Sequence, residues 1–283
     1  MKKKFLLIAA FLVLFAGCKK DGPENEAEEW DTPNIPGALS GIFTVDSLGT
    51  KVHFSQGNLY YDGSKFNFEA EQYEFASTWD ENHVSHFYWS KTESLAYAHE
   101  YKDSLALAVH DTLFTNKADF KVCFVPRNKY RSLSTDEWNY LVTERTASAI
   151  GEVKDARYVK AGIKLNDTTC INGVILFPDK FDAPEKFTPK GINNPRTKFE
   201  DNQYAMDVWN ELEKAGAVFL PAAGHRKTSI ASVVEFGLYW SSSPDRLSKG
   251  YAYRVLFSGG DFSPSLIQER KSCYSMRLVT EAE

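Results

Sequence analysis

The chain has 283 residues, 43% hydrophobic and 14% aromatic, and carries 33 Lys and Arg against 38 Asp and Glu for a net charge of −5. No basic cluster follows Lys19-Lys20, which argues against a nucleic-acid partner, since a polyanion needs a basic face. The four cysteines stand at spacings that fit no metal motif, which argues against a zinc framework.

Lys2-Lys3-Lys4 leads into an apolar run from Phe5 to Phe15, followed by Ala16-Gly17-Cys18. A basic start, a short apolar run and small residues before a cysteine form a secretory signal. The run is too short for a membrane-spanning helix, which needs roughly 20 residues across ~30 Å. Small residues before a single cysteine resemble a bacterial lipobox, with Phe15 where an aliphatic residue is more usual. Residues 1–17 therefore read as a lipoprotein signal peptide. Cys18 reads as the fatty-acylated, palmitate-bearing first residue of the mature chain, its partner being the outer membrane. Cleavage before Cys18 removes three lysines and takes the net charge from −5 to −8. Residues 18–40 are rich in Glu and contain Pro33, Pro36 and Gly37, the composition of a solvated, flexible tether. Cys18-Lys19-Lys20-Asp21 resembles the tags that export lipoproteins to the outer leaflet, so cell-surface exposure is expected.

Residues 41–283 have the apolar content of one packed domain. Val52, Phe54, Leu59, Tyr61, Phe66 and Phe68 lie mostly two apart, broken at Gly57-Asn58 and Asp62-Gly63, which predicts short strands with turns. The segment 79–119 is polar, aromatic and histidine-bearing, and fits a long excursion. Ser134-Thr135-Asp136-Glu137 predicts a capping box, with Leu133 and Trp138 as its hydrophobic staple. A second helix is expected over 200–215, with Val208, Trp209 and Leu212 on one face and Gly216 as its stop. Short strands fit 174–177, 217–221, 238–242, 251–257 and 274–279, with Tyr251, Tyr253, Val255 and Phe257 on one face. Strands and two helices without regular alternation predict an α+β fold.

The residues that could carry chemistry do not form a reactive pattern. His83 and His86 could share a helix face near Asp80 and Glu81, but no glutamate sits between them as in HExxH, so no metal is expected. Ser241-Ser242-Ser243 lacks a nucleophile elbow, and Arg226 and Lys227 beside His225 would depress its basicity. Gly259-Gly260-Asp261 fits a hairpin turn rather than a phosphate loop. Cys123 sits in an apolar stretch and reads as a core thiol, leaving Cys170 and Cys273 as the one pair that could form a disulfide. Tyr239, Trp240, Tyr251, Tyr253 and Phe262 alternate with charged residues, a composition that serves either core or contact surface. The turn residues Asp245, Arg246, Asp261 and Phe262 are the candidates for exposure, and so for ligand binding.

Several segments resemble known domains. Arg131-Ser132-Leu133-Ser134-Thr135-Asp136-Glu137-Trp138 resembles the "RLPT-x-x-EW" helix start of formylglycine-generating-enzyme-like domains. Three further segments, Phe219 to Arg226, Gly237 to Ser243 and Ser275 to Val279, resemble the "LPAAGYR…G-x-YWSSS…SVRLV" ending of bacterial lipoproteins with a major paralogous domain. Gly57-Asn58-Leu59 and Gly173 to Asp179 fit the same group, and together the matches span about residues 42–280. The resemblance implies a C-type-lectin-like fold: a twisted antiparallel sheet, two flanking helices and long loops that carry any ligand site. It also implies what is missing. Catalytic formylglycine members use a cysteine pair near the C-terminus, where Cys273 stands alone, and the EPN, QPD and WND-like signatures of calcium-dependent sugar binding are absent from 41–283.

The chain thus reads as a non-catalytic surface lipoprotein without cofactor, binding a glycan or protein through loops of a lectin-like domain. The alternatives are a structural or antigenic, pilus-associated envelope component and, more remotely, a formylglycine-generating-type enzyme.

Overall fold

The computed structural model describes residues 35–89, 130–227, 229–248 and 250–282. The lipobox with Cys18, most of the tether, Cys123 and the segment from 90 to 129 lie outside the described residues. The architecture is mostly sheet, with two α-helices among the described residues and several antiparallel sheets.

The first sheet joins the two ends of the domain. Strands β1 (Phe43–Thr44), β2 (Lys51–Phe54), β17 (Leu278–Glu281) and β6 (Arg131–Ser132) lie in that order, with Val279 opposite Phe54. The second sheet runs β10 (Val218–Pro221), β8 (Cys170–Leu176), β7 (Tyr158–Lys164) and β9 (Gln203–Ala205), the last of these parallel to β7. A third contains β12 (Ile230–Ala231), β11 (His225–Arg226), β16 (Cys273–Tyr274) and β5 (Phe87–Tyr88). The fourth is the meander of β13 (Phe236–Pro244), β14 (Tyr251–Ser258) and β15 (Phe262–Glu269), and β3 (Leu59–Tyr61) with β4 (Phe66–Phe68) forms a hairpin.

The aromatic content is explained by three cores that share strands as walls. Successive side chains on a strand point to opposite faces. Val174 and Leu176 of β8 enter one core while Ile175 enters another, and Val218, Leu220 and Phe219 of β10 divide in the same way. Tyr239 faces the first core, whereas its neighbours Leu238 and Trp240 face the second. In β14, Val255 and Phe257 do share the expected face, and Ala252 fills the second core from the opposite one. Tyr251 and Tyr253 continue the first face beyond the edge of that core and are less buried.

The capping box forms as the sequence predicts. Glu137 N–H donates to Ser134 Oγ at 3.1 Å, and Ser134 N–H donates to Glu137 Oε2 at 2.7 Å, starting helix α1 (Thr135–Asn139). Leu133 and Trp138 are both buried in the first core. Beyond α1 the coil widens into a π-helical turn, Tyr140–Glu144, which ends with Arg145 N–H donating to the Tyr140 carbonyl at 2.9 Å.

The second helix is shorter than its apolar spacing suggested. α2 spans Met206–Lys214, and residues 199–205 form a 3₁₀ turn and β9 instead. Asn202 accounts for the difference. Its side chain accepts from Lys190 N–H at 2.7 Å and donates to the carbonyls of Lys160 and Lys190, while its own carbonyl accepts from Gly162 N–H. These tertiary bonds hold the segment extended against β7. The C-terminal stop at Gly216 is as expected. With φ at 87°, it lets Ala217 N–H reach the Leu212 carbonyl and Gly216 N–H reach that of Glu213, a Schellman closure.

The expected tether ends earlier than residue 40. Leu39 N–H donates to the Phe54 carbonyl and Gln56 N–H to that of Gly37, Tyr130 Oη donates to the Pro36 carbonyl, and Ile35 and Ala38 pack on the second core. Residues 35–40 are therefore part of the domain surface. Cys170 and Cys273 form no disulfide with each other, which corrects the pair considered from the sequence: one starts β8 and the other lies buried in β16, in different sheets.

Candidate functional site

The four turn residues expected to gather at one ligand site are divided. Asp245 and Arg246 lie where β13 gives way to β14, and Asp261 and Phe262 lie at the opposite end of β14. The eight residues of β14 separate the two turns by roughly 25 Å at ~3.3 Å per residue. Two of the four are also not exposed. Phe262 is buried against Tyr158, edge to face at 4.5 Å, because the first core continues to the start of β15. Asp245 is buried and accepts from Leu247 N–H at 3.2 Å, so its carboxylate shapes the loop. Arg246 and Asp261 are exposed, at opposite ends.

Other residues singled out in the sequence serve as internal fastenings. His83 Nε2 lies 2.6 Å from Glu69 Oε1, and His86 turns inward to the Ala223 carbonyl at 3.0 Å, so the two histidines do not face one another. Ser241 Oγ donates to the Tyr253 carbonyl, Ser243 Oγ accepts from Thr135 N–H, and Ser242 N–H donates to the Leu133 carbonyl, which together tie the start of α1 to β13. Tyr239 Oη donates to the Pro221 carbonyl at 2.8 Å, and Trp240 N–H and Ser275 N–H bond to the Ser275 and Leu238 carbonyls. Arg277 is buried and reaches Gln72 Oε1 at 2.8 Å. The segments that carry the resemblance therefore interlock with one another below the surface. Asp179, the last residue of another matched segment, accepts from Thr44 N–H and Oγ1 and from Arg145 Nη1 at 2.7 Å.

The feature that faces outward is a groove of about 320 Å³ between the β13–β15 meander and the sheet containing β11 and β16. Its basic side chains are His225 and Arg226 of β11, Lys227 just after it, and Arg254 from the middle of β14. Leu238 and Leu256 supply apolar wall, Tyr274 of β16 presents its ring, and Ser232, Gln268 and Ser272 add polar groups. Local sequence explains this layout. Positions 252, 254 and 256 share one face of β14, so the strand that fills the second core at Ala252 presents Arg254 and Leu256 to the groove. Gly224 permits the tight approach to β11. Its φ is 73°, and a Cβ there would come within 2.2 Å of the Ala231 carbonyl oxygen.

Among the described residues, no aspartate or glutamate lines the groove. Arg226 is buried and stacks on Trp79 at 4.1 Å, with Nη2 3.8 Å from Cys273 Sγ. The Arg254 guanidinium lies 5.4 Å from the Tyr274 ring, and its buried Nε and Nη1 meet no acceptor. Burial lowers the Arg254 pKa. Burial first, then the charges of Lys227 and Arg254, lower that of His225. The direction for His225 is the one read from the sequence, but burial is the leading cause, and of the two charges only Lys227 is a chain neighbour while Arg254 comes from β14. Glu269, on the strand beside β14, is held by Lys271 at 3.4 Å. The sequence does not point to Arg254 as a site residue, because nothing in its own strand shows that His225 and Arg226 of β11 and the following Lys227 will lie across from it.

No protein-family model, no curated protein and no solved structure matches the chain.

Proposed function

We propose that this chain is a non-catalytic lipoprotein of the bacterial cell surface, anchored in the outer membrane through acylated Cys18 and binding a glycan or protein ligand through a lectin-like domain. The observation that carries the binding role is the open basic groove, a concave site of small-molecule size that sets basic and polar side chains beside a short apolar wall. The lectin-like assignment draws support from two short helices beside antiparallel sheets and from motif segments that interlock in the order of the family they resemble. The non-catalytic reading draws support from the engagement of the nucleophile candidates: Cys273 is 1% exposed beside Arg226, and the Ser241 hydroxyl is spent on a backbone carbonyl. Ligand contacts belong to the groove rather than to the separated turns at Arg246 and Asp261.

The test of anchorage compares the wild type with Cys18→Ala in a Gram-negative host fed labelled palmitate. Label on the wild type, with its outer-membrane fractionation lost in the variant, is expected. An unlabelled wild type, or a Cys18→Ala protein that still sediments with the outer membrane, overturns the reading.

A further inference from the structure

We infer that the groove between the β13–β15 meander and the β11–β16 sheet is a binding site for a small organic acid, whose oxyanion is met by Arg254, Lys227 and His225 and whose body rests on Leu238, Leu256 and Tyr274. This deepens the binding role proposed above and rests on it for the groove's being a ligand site. Three observations converge on it. The groove brings basic side chains from two sheets together, and among the described residues none of its lining is a carboxylate. Arg254 keeps two buried nitrogens without an acceptor, and an unmade hydrogen bond at a buried charged group is costly. Its guanidinium beside the Tyr274 ring has the flat geometry that pairs with carboxylate or sulfate oxygens.

The other buried cations show what a structural role looks like. Arg145 donates to Asp179 and to two backbone carbonyls, and Lys160 Nζ donates to the carbonyls of Pro195 and Ser258 at 2.6 and 2.9 Å. Arg277 also keeps unpartnered nitrogens, but it is 1% exposed and enclosed, out of reach of a ligand. Arg254 alone among these four lines an open groove. The rest of the lining fits an organic body better than a bare ion. Leu238 and Leu256 favour apolar surface, while Ser272 and Gln268, themselves linked at 3.2 Å, offer donors and acceptors to hydroxyl or amide groups.

The experiment uses the full mature protein in detergent, titrated with digalacturonate, its dimethyl ester, N-acetylglutamate and inorganic sulfate. Binding is followed through the His225 imidazole resonances, assigned with His225→Gln. At least one organic acid is expected to bind, with affinity falling by about tenfold or more in Arg254→Gln and by several-fold in Lys227→Gln, as loss of a charged hydrogen bond predicts. The ester is expected to bind about tenfold more weakly than digalacturonate if the sugar acid is the ligand type, and preference for N-acetylglutamate would identify a peptide-type acid instead. Lys227 is exposed, so its variant tests the site even if Arg254→Gln fails to fold. Equal binding of ester and acid, binding that ignores both substitutions, response to sulfate alone, or response to none of the probes would each overturn the inference. None of these results touches membrane anchorage, which the Cys18→Ala comparison decides separately.

Discussion

Two regions of the molecule hold an arginine and a histidine in opposite ways. In the interior, Arg145 is fully buried with the Asp179 carboxylate and the Leu141 and Phe177 carbonyls as acceptors, and His86 is buried against the Ala223 carbonyl. In the groove, Arg254 and His225 sit partly buried beside Arg226 and Lys227, and among the described residues no carboxylate lines the space. A charge with its partners built in is a fastening. A buried guanidinium with two nitrogens that meet no acceptor, as in Arg254, is where the proposed ligand would bind.

The sharpest way to break this comparison is to remove one half of the interior pair. Asp179→Ala strands a buried guanidinium and releases Thr44 from β1, so unfolding in urea should show a loss of about 3–5 kcal/mol. A loss below about 1 kcal/mol would place Arg145 in the same category as Arg254. A somewhat smaller effect is expected from His86. Burial lowers its pKa to about 4, so the unfolded chain binds the extra proton between that value and the ordinary 6.5. Stability from this group is therefore complete above about pH 6.5 and falls as the pH drops toward 4, by on the order of 3 kcal/mol. His86→Gln should flatten that part of the pH–stability curve. His83 has the opposite sign. Its hydrogen bond to Glu69 raises its pKa, so its contribution is present at pH 6 and declines as the pH rises through the raised value.

Smaller effects sharpen the contrast. Ser134→Ala removes one side of the capping box and should cost about 1 kcal/mol of thermal stability. Arg254→Met, which keeps the apolar stem and deletes the charge, should change stability by no more than about 0.5 kcal/mol in either direction. A large loss there would show that the groove arginine is also a fastening.

The parts of the fold legible in the sequence are those fixed by neighbours in the chain. The Ser134–Glu137 cap, the Gly216 stop, the turn at Gly259-Gly260 and the strand at 251–257 depend on contacts within a few residues, and the side-chain chemistry that makes them is printed in order. The start of α2 was not legible, because Asn202 has the composition of any polar helix residue until Lys190 and Lys160 arrive from elsewhere. The candidate site was misread for a related reason. Turn residues attract attention as exposed, yet Phe262 closes the first core and Asp245 braces its own loop. The groove was invisible, since its cations come from β11 and β14, and a strand pattern tells which face a residue shares without telling what lies opposite.

By itself, then, the sequence determined the net negative charge, the caps and turns, and the alternation that makes strands, which are properties of composition and of short stretches of chain. Only the tertiary structure decided that the motif aromatics line three cores, that Asp179 belongs to Arg145, and that Arg254 faces His225 and Lys227 across an open groove. The physical reason is that burial and charge pairing depend on what long-range packing places within a few ångströms, and no local spacing encodes that distance.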